Sequence, residues 1–286
     1  MIVGTTKGGT STLYLWLQEH SEIEFADQKE LHFWCACPNP RLRAANDLSE
    51  YLTLFPSARY RGEASPCYMY YPHIAGDLKA NFPTAKILMS LRDPVERFWS
   101  HYLMNEVYRP TGLEAGVLLD RILSQRPSNA LDDLFGMGLY SIQVERYLKE
   151  FSSDNVHVTF LERMSENPQN VLTDVLNFLD LHTEEIDVSI RDKVYVEPKG
   201  ALGRISLRNP RIRRIGVALI PPRARHYLRT RLLGSPDLKP KPDPNLVFRL
   251  RELYWEDSVK LDAMVGPVPW SWHRQSVSTT EPIDQR

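Results

Sequence analysis

Lys7 stands in the run Gly4-Thr5-Thr6-Lys7-Gly8-Gly9-Thr10-Ser11-Thr12, which has the residue types an anion site needs. Glycines let backbone amides approach a phosphate, the lysine adds a mobile full charge, and the hydroxyls of Thr10, Ser11 and Thr12 can donate further bonds. If a helix starts here, its first N–H groups and its dipole favour the same negative charge. A bare connecting turn would explain the glycines but not the lysine beside three consecutive hydroxyls. The order of residues also matters. A Walker A loop places lysine after its last glycine, whereas Lys7 precedes Gly8 and Gly9. A second segment, Arg92-Asp93-Pro94 with Arg97, Ser100 and Tyr102, can meet another phosphate: an arginine grips it bidentately and Ser100 adds one bond. Taken alone, Arg-Asp-Pro is more often a surface turn with an internal ion pair. Beside the first loop it reads as an anion site.

Two groups that could move a proton sit in Lys29-Glu30-Leu31-His32-Phe33-Trp34. If this segment is extended, Glu30 and His32 flank Leu31 on one face, one as base and the other as its orienter. Against that stand a solvated surface charge for Glu30 and a core histidine beside Phe33 and Trp34 for His32. Glu63 is a weaker candidate for positioning Lys7 or an acceptor. The three cysteines are Cys35, Cys37 and Cys67. Cys35-Ala36-Cys37 is too tight for a usual structural zinc pair, and no second Cys/His pair follows at metal spacing. No metal site is expected, and the thiols suit a reduced, cytoplasmic protein.

These groups need elements to carry them. The chain has 286 residues and a net charge of −1, and its 42% hydrophobic content is ordinary for a globular protein. No global charge draws it to nucleic acid, and no apolar run approaches the ~20 residues that span a bilayer. Strands are expected at 1–4, 23–25, 60–64, 86–91 and 155–160. The fourth is mostly apolar, as a fully buried parallel strand would be. Helices are expected at 11–20, 47–55, 73–81, 94–108, 114–123, 139–151, 168–179 and 245–265. Such alternation implies an α/β domain, a mainly parallel central sheet flanked by helices. One domain is expected over 1–274, followed by a polar, disordered tail at 275–286. Between 204 and 231 there is no acidic residue, while arginine recurs nine times from Arg204 to Arg231. This stretch can close on a nucleotide, draw in an anionic acceptor or simply form a solvated cationic face.

Together the two anion segments resemble the PAPS-dependent sulfotransferases, PAPS being 3′-phosphoadenosine-5′-phosphosulfate and PAP its product. In that family a [K/R]-x-G-[T/S]-[T/S/R] loop holds the 5′-phosphosulfate; Lys7, Gly8, Gly9, Thr10, Ser11 and Thr12 match it. An Arg-Asp-Pro segment with serine eight residues after the arginine holds the 3′-phosphate; Arg92 and Ser100 match that. The likeness is greatest to the heparan sulfate sulfotransferase branch and its bacterial relatives. There a K-E-x-H-F-F element, here Lys29 to Trp34, carries the proposed base, which implies Glu30. Glu63-Ala64-Ser65-Pro66-Cys67-Tyr68 is similar to its E-x-S-P-x-Y element. Lys199 and Gly200, with Arg204 following, are similar to a late loop that closes over the nucleotide.

The resemblance implies the P-loop-like sulfotransferase fold, PAPS as donor, and in-line transfer to a hydroxyl or amine of a small-molecule, lipid or glycan acceptor without a metal. Ala64 stands where the branch often has an acceptor-contacting lysine, so a bacterial glycan or natural-product acceptor is expected rather than heparan. A P-loop kinase or NTPase is the alternative enzyme and needs Mg²⁺ and a strand-ending aspartate; Asp93, between arginine and proline, has the wrong context. A non-enzymatic anion-binding module would need neither Lys7 nor Glu30.

Overall fold

The computed structural model describes residues 1–35, 45–55, 59–125, 127, 129–189 and 239–270, with backbone alone at 197–198 and 234–235. The chain opens as β1 (Ile2–Gly4), α1 (Thr10–Gln18), β2 (Ile23–Phe25), α2 (Leu48–Thr53), β3 (Tyr60–Gly62), α3 (Ile74–Asn81), β4 (Ile87–Leu91) and α4 (Pro94–Tyr108). It continues as α5 (Ala115–Gln125), α6 (Tyr140–Phe151), β5 (Val156–Phe160), α7 (Leu161–Glu166), α8 (Pro168–Phe178) and α9 (Pro244–Val265). Two-residue strands at Glu197–Pro198 and Gly234–Ser235 pair antiparallel between α8 and α9. The strands and helices expected from the sequence are all present to within about three residues at their ends. The helix α7, which was not expected, follows β5 without a loop.

β4 pairs in parallel with β1 on one side and β5 on the other, and β2 pairs in parallel with β3. An Ile2–Ala64 bridge joins the two groups, with the Ile2 amide donating to the Glu63 carbonyl at 2.7 Å. The resulting order is β2-β3-β1-β4-β5. β4 is buried along its whole length, as its apolar sequence requires, and its side chains alternate between two cores. Ile87, Met89 and Leu91 pack with Leu78 of α3 and with Val144 and Tyr147 of α6. Leu88 packs on the other face with Leu13 and Trp16 of α1 and Leu172 and Val175 of α8.

β1 connects outward to β2 on one side, while its other neighbour β4 leads on to β5. The loops leaving β1 and β4 are therefore adjacent at the carboxyl edge of the sheet, at the switch point where such sheets bind ligands.

The ends of the helices near that edge are set locally. Asp93 accepts from the amides of Val95 and Glu96, and Pro94 sits in the first turn, so α4 starts sharply after β4. α6 has no such residue of its own. Its first amides, at Tyr140 and Ser141, donate instead to Asp257 of α9, at 2.7 and 3.1 Å, and the Ser141 hydroxyl donates to the same carboxylate at 2.5 Å. Asp257 thus does for α6 from another helix what an N-cap residue does in sequence. We expect Asp257→Ala to lower unfolding free energy by about 1–3 kcal/mol, read from urea denaturation. Unchanged stability would show that water replaces the cap.

Candidate functional site

The loop after β1 is held from below by β4. The Thr5 amide donates to the Ser90 carbonyl at 2.8 Å, and the Ser90 hydroxyl donates to the Gly8 carbonyl at 2.6 Å. Gly8 lies against that strand, where a Cβ would run into the Ser90 carbonyl. Gly9 has φ +96° and a Cβ there would meet Leu161 at 2.9 Å, so both positions require glycine. Lys7 also takes a left-handed backbone, φ 72°. α1 then begins at Thr10, with no side-chain cap among the described residues and no acidic residue in its first turn. Its positive end is left for an anion.

The sequence-expected groups converge on one cleft of about 420 Å³. Lys7, Gly9, Thr10, Ser11, Thr12, Arg92 and Ser100 line it, together with Glu30 and His32. Gly8 does not line it; its part is the close packing on β4. Arg92 is drawn toward Glu96, at 3.1 Å, which Lys239 also reaches at 3.1 Å. The Tyr140 hydroxyl donates to the Arg92 carbonyl at 2.9 Å and fixes the turn. Lys199, Gly200, Arg204 and the arginine-rich stretch lie outside the described residues.

Behind this wall, Arg97 of α4 is fully buried. It donates to the Leu134 carbonyl and lies 3.3 Å from His101 Nδ1. Among the described residues no carboxylate lies within ion-pair distance of it. Burial, then the charges of Arg97 and Lys7, push His101 well below the usual histidine range.

The segment carrying Glu30 and His32 is not extended, which corrects the expectation from sequence. Glu30 has φ 64° and His32 φ 53°. The two side chains still meet, with His32 Nε2 3.8 Å from Glu30 Oε2. Left-handed backbone at a residue with a side chain costs about 1–3 kcal/mol and persists only where the surroundings impose it. Here the Glu30 amide donates to the Ala64 carbonyl at 3.2 Å, and the amides of Phe33 and Trp34 donate to the Tyr68 hydroxyl at 3.0 and 3.3 Å.

Tyr68 in turn donates to Glu63 at 2.6 Å, which also accepts from Ser65 at 2.8 Å and from Tyr51. Glu63 is 4% exposed. Burial raises its carboxyl above the usual range, against the lowering effect of those hydroxyls. Glu63 is not among the residues that line the cleft; its hydroxyl partners Tyr51, Ser65 and Tyr68 make it an anchor for the neighbouring segment.

Other participants stand inside quoted motifs or beside them but were given no role from sequence. Lys29 Nζ lies 3.0 Å from Ser11 Oγ and 3.2 Å from Glu30 Oε1, bridging the glycine loop and the candidate base. Cys35 and Cys67 line the cleft beside His32. Hydrogen bonds from Cys67 and His32 bring the Cys35 thiol down to about 5, and the thiol raises His32 despite its burial. Tyr71 also lines the cleft.

A sulfotransferase domain family model matches residues 1–200, well over half of the chain. The chain belongs to that family. A sulfotransferase from Alicyclobacillus acidocaldarius has the same fold, with a TM-score of 0.69 at 24% identity over 93% of this chain and 95% of that one. Carbohydrate sulfotransferase 15 of Rattus norvegicus is 27% identical over 63% of this chain and 43% of its own length. The membrane-associated sulfotransferase kil1 of Dictyostelium discoideum is 32% identical over 36% of this chain and 22% of its own. The chain thus spans less than half the length of these curated relatives. Nothing in the family assignment supports a kinase or a non-enzymatic module. Among the described residues of this sulfotransferase domain, no helix is long and apolar enough to cross a membrane.

Tyr68→Phe removes the acceptor of two amides and one donor to Glu63. We expect a loss of about 2–4 kcal/mol in unfolding free energy, measured by denaturant titration. An undiminished midpoint would mean that the Glu30 segment is held by other contacts.

Proposed function

We propose that the protein transfers a sulfuryl group from PAPS to a hydroxyl, or an amine, of a bacterial glycan or natural-product acceptor. One observation carries the reading: two anion-binding segments from different strands share a single cleft with a carboxylate and an imidazole. PAPS bears phosphate at two separated positions, which suits two separated cationic segments. The amides and hydroxyls of residues 9–12 hold the 5′-phosphate, and Lys7 sits at the bridging oxygen, where negative charge grows as the sulfur–oxygen bond breaks. Arg92 and Ser100 hold the 3′-phosphate. Bound there, PAPS supplies an activated sulfuryl group.

The acceptor oxygen attacks sulfur in line, PAP departs, and the acceptor proton passes to the Glu30 carboxylate. His32, 3.8 Å from that carboxylate, orients it. Lys29, 3.2 Å from Glu30 Oε1, holds the carboxylate near the loop. Carbohydrate sulfotransferases among the relatives support a hydroxyl acceptor.

Thermal unfolding with PAP, without added divalent metal, tests the donor site. At 100 times its dissociation constant PAP adds about 2.7 kcal/mol; a shift with Mg-ATP but none with PAP overturns the reading. For the chemistry, Glu30→Gln keeps PAP binding and loses about 10²–10⁴-fold in transfer rate, whereas Lys7→Ala weakens both. Near-normal transfer by Glu30→Gln would remove Glu30 as the base.

A further inference from the structure

Cys35, Cys67 and His32 come from two separate segments and meet on one side of the cleft. Cys67 Sγ lies 3.4 Å from Cys35 Sγ and 3.4 Å from His32 Nδ1, and Cys35 Sγ lies 3.6 Å from the same nitrogen. Neither thiol is in a disulfide. The three atoms form a nearly equilateral triangle. A tetrahedral zinc ion, with Zn–S of about 2.3 Å and Zn–N of about 2.0–2.1 Å, sets its ligand atoms about 3.5–3.8 Å apart. The side chains therefore stand within a few tenths of an ångström of one face of a zinc tetrahedron.

We propose that His32, Cys35 and Cys67 form a binding site for a zinc-class divalent cation, with its fourth position open to the cleft. Four features support it. Two thiolates and an imidazole suit zinc better than magnesium or calcium, which take oxygen ligands. Binding through Nδ1 leaves His32 Nε2 directed at Glu30, 3.8 Å away, the carboxylate–histidine arrangement that orients metal-bound imidazoles. Both thiols are buried, at 5% and 9% exposure, so the ligands are already in place. All three residues also line the cleft, which supplies the way in and leaves the fourth position to water or an acceptor hydroxyl. Three protein ligands with an open fourth position is the pattern of reactive rather than purely structural zinc. The assignment rests on the geometry of the three side chains and not on the proposed reaction.

A second cluster, His20, His182 and Glu184, lacks this quality. His20 Nδ1 accepts from the Glu22 amide at 3.2 Å and its Nε2 lies 3.0 Å from the His182 carbonyl, so both ring nitrogens are engaged.

The test titrates the full chain, reduced and stripped of metal, with Co²⁺ and follows its absorption spectrum. One equivalent should produce thiolate-to-cobalt charge transfer in the near ultraviolet and the intense visible bands of a tetrahedral site, both erased by one equivalent of Zn²⁺. Cys35→Ser and Cys67→Ser should each lower affinity at least tenfold, while Cys37→Ser leaves the bands in place. Azide should shift the visible bands by entering the open position. Absence of the bands in the wild-type chain overturns the site whatever the variants do. So does a dithiol that takes up no metal and simply closes to a disulfide when reductant is removed. Loss of the bands in Cys37→Ser overturns the ligand set, and insensitivity to azide overturns the open position. PAP binding, measured alongside, keeps a failure here distinct from a failure of the proposed reaction.

Discussion

The arrangement of the cleft depends on one buried carboxylate. Glu63 sits under the sheet edge and accepts hydroxyls from Tyr51, Ser65 and Tyr68. An ionised carboxylate in such a place is costly unless several donors face it. Those donors are not a passive solvation shell. Tyr51 brings α2 against the sheet, and Tyr68 passes the constraint to the amides of Phe33 and Trp34. Glu30 and His32 are thereby held in backbone conformations that neither residue favours. The same interaction explains why a segment without regular secondary structure can present two polar side chains at fixed positions.

The second constraint is topological. A parallel sheet buried on both faces can expose functional groups only at its edges, and the order β2-β3-β1-β4-β5 puts the ends of β1 and β4 side by side. Ser90 couples the two, since its backbone carbonyl and its hydroxyl both bind the first loop. The positions of Lys7 and Arg92 are therefore not independent. Each is referred to the same residue of β4, and this fixes the spacing between the Lys7 and Arg92 segments.

Much of this was legible in the sequence because it is written in local signals. The apolar run ending at Arg92-Asp93-Pro94, the Asp and Pro helix starts and the Lys7 loop each announce themselves within ten residues. What was not legible is non-local or conformational. Cys35 and Cys67 are 32 positions apart, and nothing in either neighbourhood hints that they touch. Glu63 looked like a candidate for chemistry because its partners Tyr51 and Tyr68 carry no motif for a buried acceptor. An extended segment would have put Glu30 and His32 on one face, yet pairing across the fold imposed left-handed backbone at both. The helix α7 was missed because Leu161 follows Phe160 directly, with no turn residue to mark the change. Lys199, Gly200 and Arg204 lie outside the described residues, so their expected approach to a nucleotide stands on the family likeness alone.

The fully buried Arg97 has a consequence for turnover. Its charge lies in a low-dielectric wall one helical turn from Ser100, where solvent screens it poorly. It is therefore a source of positive potential built into the wall beside the cleft. Such a field attracts an anionic donor, but it does not distinguish donor from product. In the proposed reaction the spent nucleotide keeps both phosphates, so it must climb out of the potential that drew the fresh one in. A protein built this way gains occupancy at low donor concentration and gives up speed of release.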